Sequence, residues 1–366
     1  MKRNDDTIGA DRAGGTSRRS GNPPAISVSR AEEFTPGSTP PEPLLPAQLK
    51  DMVVRDGFSD GDTPQVESIL NRISYQHLSE YYRIAKSEHA PGDAGYKLVH
   101  RIALFDRKLQ SVLMEGIGLF ELQFRAQYSY ALGASHGAFA HRSSGNFKDI
   151  GHYRSSMSKY FTEVERQISR KNASVLREVE MYGDLPIWCA VEIMSFGTLS
   201  MLYGNTRSKR VRAAVADSFG IQHDTLTSWI RALSAVRNQC AHFGNICSQP
   251  LTSRPKRSAS FKFKDNGHFF YIALILENLL GGDELYPDDP TITYSLSFAA
   301  SIAKLFNEFH DLLPIVGIPR DWGMLMLNEE VTGARWKHVD AGDAAEMPEG
   351  PLVVGDGIAF TIPVMD

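Results

Sequence analysis

The chain has 366 residues, 42% of them apolar and 22% charged, with a formal net charge of −4, an ordinary composition for a globular protein. No apolar run reaches the length of a membrane span, and Met1-Lys2-Arg3-Asn4-Asp5-Asp6 lacks the apolar core of a secretory signal, so a cytoplasmic protein without a membrane partner is expected. The three cysteines, Cys189, Cys240 and Cys247, are odd in number and poorly spaced, which argues against a disulfide framework and against a zinc cage.

Residues 1–46 carry seven prolines among glycines, serines and threonines. Such a segment buries too little apolar surface to offset its ordering entropy, and it reads as a disordered tail. A helical pattern begins at Ala47, with a short helix over 47–56 ended by Gly57. Thr63-Pro64 reads as an N-cap followed by proline at the first helical position, before Val66, Ile69, Leu70 and Ile73 at helical spacing. Leu78–Ala85 is a further helical piece. Residues 97–132 form the longest periodic stretch, weakened in the middle by Gly116 and Gly118. A loop is expected over 133–145, then a charged helix over 148–171 that continues, broken or not, to Tyr182.

Gly183-Asp184 should stop that helix, with Asp184 capping the next and Pro186 in its first turn. Pro186–Tyr203 is apolar nearly all round and reads as one central helix. Lys209–Phe219 is a short helix, and Asp224 is expected to cap the helix after it. Ser258–Lys264 alternates and ends in Asp265-Asn266-Gly267, the pattern of a small hairpin. Phe269–Leu280 and Tyr294–Leu313 are apolar helices, closed by Pro314 and Pro319. The pattern predicts an all-α fold with one helical domain over 47–325 and a weakly periodic extension over 326–366.

The charge is unevenly spread. From Thr225 to Lys264 there is no acid, against seven bases: Arg231, Arg237, Arg254, Lys256, Arg257, Lys262 and Lys264. A basic middle suits a phosphate backbone, although an isolated basic loop can equally be a solvated surface. Arg207, Lys209, Arg210 and Arg212 make a second basic patch that either tracks phosphates or is an exposed helix start.

Within the acid-free stretch lies Arg237-Asn238-Gln239-Cys240-Ala241-His242. Histidine can move a proton in both directions near neutral pH, and arginine grips phosphate through a fixed fork of donors. Arg-x4-His alone is a common spacing and needs context. That context is Leu104-Phe105-Asp106-Arg107-Lys108-Leu109, Glu121-Leu122-Gln123-Phe124-Arg125, Asp184-Leu185-Pro186-Ile187-Trp188, Ser195-Phe196-Gly197-Thr198-Leu199-Ser200 and Gly317-Ile318-Pro319-Arg320-Asp321-Trp322, in this order around the motif.

The series resembles the Abi family of bacterial abortive-infection proteins over roughly residues 47–325, a family placed in the HEPN superfamily of helical ribonucleases. The resemblance implies an HEPN-like bundle with additional helices, and a toxin-like, metal-independent endoribonuclease of antiphage defence. It also implies a homodimer whose site lies across the two-fold interface, and an antitoxin RNA or protein as a possible restraint. Arg237, Asn238 and His242 are the implied catalytic residues. Arg231, Arg254, Lys256, Arg257, Lys262, Lys264, Arg207, Lys209 and Arg210 are candidates for RNA contact. No cofactor and no metal are expected, because His136 and His141 have no third ligand at helpful spacing.

An ideal helix over 225–243 puts Leu226, Trp229, Ile230, Leu233, Val236 and Cys240 on one stripe. Arg237 falls on that stripe and His242 about 140° away. Either the helix loosens before Gly244, or the stripe around Arg237 faces a second copy. An arginine on an apolar face must find an anion, either a carboxylate such as Glu192 or Glu121, or a scissile phosphate. Asn238, four residues before His242, could hydrogen-bond the imidazole. Glu121 and Arg125 read first as an intrahelical ion pair, with a supporting role beside the site as the alternative. A different class of function also stays open: a catalytically silent helical module that binds RNA or a partner protein.

Overall fold

The computed structural model describes residues 44–49, 63–88, 96–247, 249–280 and 294–326. The chain falls into two units, residues 1–45 and 46–366; only Leu44 and Leu45 of the first are described, and helices α1 to α12 below all lie in the second. The expected C-terminal extension and most of the expected helix over 47–56 lie outside the described residues, as does nearly all of the expected disordered tail.

The described part is all-α. Its helices are α1 (Thr63–Leu70), α2 (Tyr75–Glu88), α3 (Tyr96–His136), α4 (Ile150–Ser169), α5 (Ala173–Tyr182), α6 (Ile187–Ile193), α7 (Phe196–Asn205), α8 (Lys209–Asp217), α9 (His223–Ala241), α10 (Phe269–Leu280), α11 (Tyr294–Glu308) and α12 (Trp322–Met326). Extended pairing among the described residues is a single bridge between Phe147 and Thr206.

The 41-residue α3 is the axis of the bundle. At 1.5 Å per residue it spans about 60 Å, and α2, α6, α7, α8, α9, α10 and α11 all pack on it. Its buried Phe105, Leu109, Leu113, Ile117, Phe120, Phe124 and Tyr128 recur at three- and four-residue spacing. Phe120, Phe124 and Tyr128 stack in a column, and Phe196 and Tyr203 of α7 meet it edge-on. Neither Gly116 nor Gly118 breaks the helix. Gly116 admits the Phe298 ring of α11, which a Cβ there would meet at 2.7 Å. A residue with poor helix propensity is retained here because it permits a close crossing.

Four local expectations are corrected. α3 runs on to His136, so the loop begins at Gly137 and contains two short 3₁₀ turns, Ala140–Arg142 and Ser144–Asn146. The single helix expected over 186–203 is two, α6 and α7, separated at Met194–Ser195. Ser195 takes an extended conformation and its hydroxyl accepts the Thr198 N–H, so a serine cap divides the apolar run. Asp184 does not cap α6, whose N-cap is Pro186. Its carboxylate instead accepts from Leu185 N–H and Tyr160 O–H and pairs with Arg142.

The fourth correction concerns the expected hairpin over 258–267, where no strand forms. Backbone groups of this loop bond to other partners. Trp229 Nε1 donates to Lys256 O at 2.8 Å, Ser228 Oγ accepts from Lys256 N, and Tyr271 Oη accepts from Ser258 N at 2.7 Å. Phe261 is buried and stacks on Trp229. The alternation therefore records side chains tucked against α9 and α10 rather than a paired strand. The expected stop at Gly183 holds: it follows α5 with φ 74°, a left-handed position that glycine fills without strain.

Candidate RNA-cleaving site

α9 carries the motif. The six predicted stripe residues, Leu226, Trp229, Ile230, Leu233, Val236 and Cys240, are all buried. α9 begins at His223 after Gln222, so Asp224 lies in its first turn rather than at its cap. The Asp224 carboxylate is engaged elsewhere: Oδ1 lies 2.8 Å from His223 Nδ1 and 3.4 Å from Arg212 Nη1. Burial works to raise the Asp224 pKa, but His223 and Arg212 together hold it below the usual carboxylate range.

At the other end α9 stops at Ala241, with His242 as the C-cap. The Gly244 N–H donates to Gln239 O at 2.8 Å and the Phe243 N–H to Cys240 O at 3.0 Å. This pair of bonds is the Schellman termination, in which the residue after the C-cap is left-handed and usually glycine. Here that residue is Phe243, with φ 54°. A bulky side chain in this region costs on the order of 1 kcal/mol or more. Glycine occurs one position later.

What holds the strained turn is a buried carboxylate that the sequence pattern does not single out. Asp106 of α3 is fully buried. It accepts from Cys247 N at 2.7 Å, Ile246 N at 3.1 Å, Tyr81 Oη at 2.8 Å and Gln110 Nε2 at 2.9 Å. Gln110 Nε2 also donates to Gly244 O at 3.1 Å, and Gln239 Nε2 to Asn245 O. Burial pushes the Asp106 carboxyl above its usual range, and the bonds from Cys247, Tyr81 and Ile246 pull it back. The loop leaving the motif is thus clamped to α3. No nearby spacing in sequence signals this, because two of the partners are backbone amides some 140 positions away.

The motif side chains divide by exposure. Arg237 is half-buried, while Asn238 and His242 are exposed. The helix ends where one of the two resolutions required, but the His242 N–H still bonds Asn238 O at 3.1 Å, which keeps His242 near its helical position. The link between Asn238 and His242 is thus through backbone, not the expected bond to the imidazole ring. No carboxylate among the described residues pairs with Arg237. Glu121, one of the two acids considered for it, pairs with Arg125, whose guanidinium also donates to Val191 O of α6. Those two residues pin α6 to α3, and Glu192 is exposed on α6. Cys240 remains a thiol: burial, then Asp106, pushes its pKa up to about 12.

The basic residues also divide. Arg231, Arg254, Lys256, Arg257, Lys262 and Lys264 are exposed on α9 and the loop after it, with the Lys264 ammonium bonded to Phe261 O. Lys209 and Arg210 are exposed at the start of α8. Arg207 is committed: Nε donates to Gly145 O at 3.0 Å and Nη2 to Phe147 O at 2.7 Å. Arg212 is buried. No metal-binding cluster of His, Cys, Asp or Glu occurs among the described residues. His141 is fully buried against Tyr160, and burial, then Arg142, lowers its pKa to about 4. No helix among the described residues is long and apolar enough to cross a membrane.

Neither a curated protein nor a solved structure matches the chain. Residues 68–247 match the family described as Abi-like protein, a narrower span than the sequence resemblance, ending just after the motif and leaving the Gly317–Trp322 block outside. The matched span contains Asp106, the Arg237–His242 turn and the loop that Asp106 clamps, and residues 68–247 are an Abi-like protein region of the chain.

Proposed function

We propose that this protein is a toxin-like, metal-independent endoribonuclease of an antiphage abortive-infection system, with an HEPN-type site at the C-terminal end of α9. The observation that carries the reading is that Arg237 and the exposed His242 have no carboxylate partner among the described residues, on a turn held rigid from α3. A half-buried guanidinium without a counter-ion is suited to a phosphate.

The ribose 2′-hydroxyl attacks the adjacent phosphorus, and the 5′-oxygen leaves. His242 takes the proton from the hydroxyl or delivers one to the leaving oxygen. In a homodimer two copies of His242 divide those roles, which also resolves the angular separation of Arg237 and His242 on one helix. Arg237 stabilises the extra negative charge of the phosphorane. Asn238 orients RNA or His242 from the neighbouring turn. Arg231 and the 254–264 loop attract the backbone, with Lys209 and Arg210 as an outer patch. The products carry a 2′,3′-cyclic phosphate and a 5′-hydroxyl, and DNA is not cut.

The test is incubation of wild-type protein and His242→Ala with end-labelled total RNA in EDTA. Cleavage by the wild type alone supports the reading. RNA bound equally by both and cut by neither replaces it with the silent RNA-binding module.

A further inference from the structure

Phe243 combines three features that no packing role explains. Its backbone is left-handed at the position where a Schellman turn favours glycine. Its side chain is 59% exposed, so the strain is not offset by burial. The Arg107 guanidinium of α3 sits 5.3 Å from the centre of its ring. The residue before it is His242, and the backbone after it is fixed by Gln110 and Asp106. A glycine here would relieve the backbone and sacrifice little buried surface. What the side chain adds is an exposed aromatic face with a cation against it, adjoining the proton-transfer group.

We propose that Phe243 and Arg107 form a nucleobase subsite of single-stranded RNA, in which a base flanking the scissile phosphate stacks on Phe243 while Arg107 backs the ring and meets the adjoining phosphate. This rests on the ribonuclease reading for the position of the phosphate. Stacking on an aromatic face is open to every base but requires that the base be free of a duplex. The subsite therefore selects unpaired RNA with little regard to sequence. A guanidinium on the ring favours an electron-rich, phosphate-bearing ligand over a purely apolar protein surface.

The experiment uses full-length His242→Ala as the non-cleaving parent, and ten-nucleotide RNAs carrying 2-aminopurine at each position in turn, single-stranded or in a duplex. The parent should quench 2-aminopurine at one position of the single strand. Phe243→Gly should remove that quenching and weaken single-strand binding about tenfold, with duplex binding unchanged. Its melting temperature should be equal or higher, because glycine relaxes the turn, and Phe243→Trp should restore quenching. Equal binding by parent and Phe243→Gly, equal losses on single strand and duplex, or a changed oligomeric state with unchanged RNA affinity would each overturn the subsite. Quenching that depends on Phe243 in a protein whose wild type does not cut RNA would leave the subsite standing and remove the ribonuclease reading.

Discussion

The two ends of α9 each carry an arginine and a histidine, Arg212 of α8 beside His223 at its start and Arg237 with His242 at its finish, and treat them in opposite ways. At the start, Arg212 and His223 close on Asp224, and Arg212 O accepts from Tyr203 Oη at 2.8 Å. At the finish, Arg237 and His242 meet no carboxylate among the described residues, and the backbone beside them is strained and clamped from beneath. Satisfied charges fix a fold, whereas charges left open on a rigid support are available to a ligand. The same residue types therefore point to structure at one end and to chemistry at the other.

The largest way to break this contrast is to remove the clamp. Asp106→Ala leaves the Ile246 and Cys247 amides and the Tyr81 hydroxyl without their acceptor. Stability should fall by about 3 kcal/mol in denaturant titration. Asp106→Asn, which keeps one acceptor oxygen, should lose less. A change within experimental error for Asp106→Ala would mean that the clamp does not hold the turn.

A third histidine sharpens the comparison. His141 is neither paired like His223 nor open like His242; neither of its ring nitrogens has a hydrogen-bond partner. Its folded pKa of about 4 lies below the ordinary 6.5, so the unfolded chain takes up the proton first as pH falls. Stability from this site is intact above pH 6.5 and should be lost progressively towards pH 4, by on the order of 3 kcal/mol. His141→Phe should flatten that part of the pH–stability curve. An unchanged slope would assign the acid sensitivity to other groups.

Smaller effects are expected at the paired end and on the loop. Arg212→Ala should cost about 1–2 kcal/mol in stability, since one partner is exposed, while leaving the cleavage rate of the folded fraction intact. The triple change of Arg254, Lys256 and Arg257 to alanine should weaken RNA binding severalfold and lower its salt dependence by about one unit of slope per phosphate contact removed. An unaltered salt slope would make this loop a solvated surface.

The apolar stripe of α9 is legible in the sequence because helical periodicity survives in the core, and all six of its residues are buried. The break between α6 and α7 is hidden, because neither glycine nor proline marks it; the usable signal is Ser195 three residues before Thr198. Arg207 and Arg210 are alike in sequence, yet only Arg207 is spent on backbone carbonyls. Asp106 is legible only as part of a family pattern, since a carboxylate that accepts from distant amides has no partner residue to find. Phe243 is invisible because strain at one φ angle leaves no mark on composition or spacing.

Whether the open end of α9, and not the paired end, cuts RNA can be measured directly. The measurement is single-turnover cleavage, in EDTA, of a labelled RNA that the wild type cuts and of the same RNA with a 2′-deoxyribose at the cut position. Wild type, Arg237→Ala, His242→Ala and Arg212→Ala are compared at matched folded concentration. With the site at the open end, Arg237→Ala and His242→Ala should each lose at least about 100-fold in rate while remaining folded. Arg212→Ala should cut like the wild type, and the deoxy substrate should not be cut. Equal cutting by His242→Ala, or cutting of the deoxy substrate, would contradict that placement.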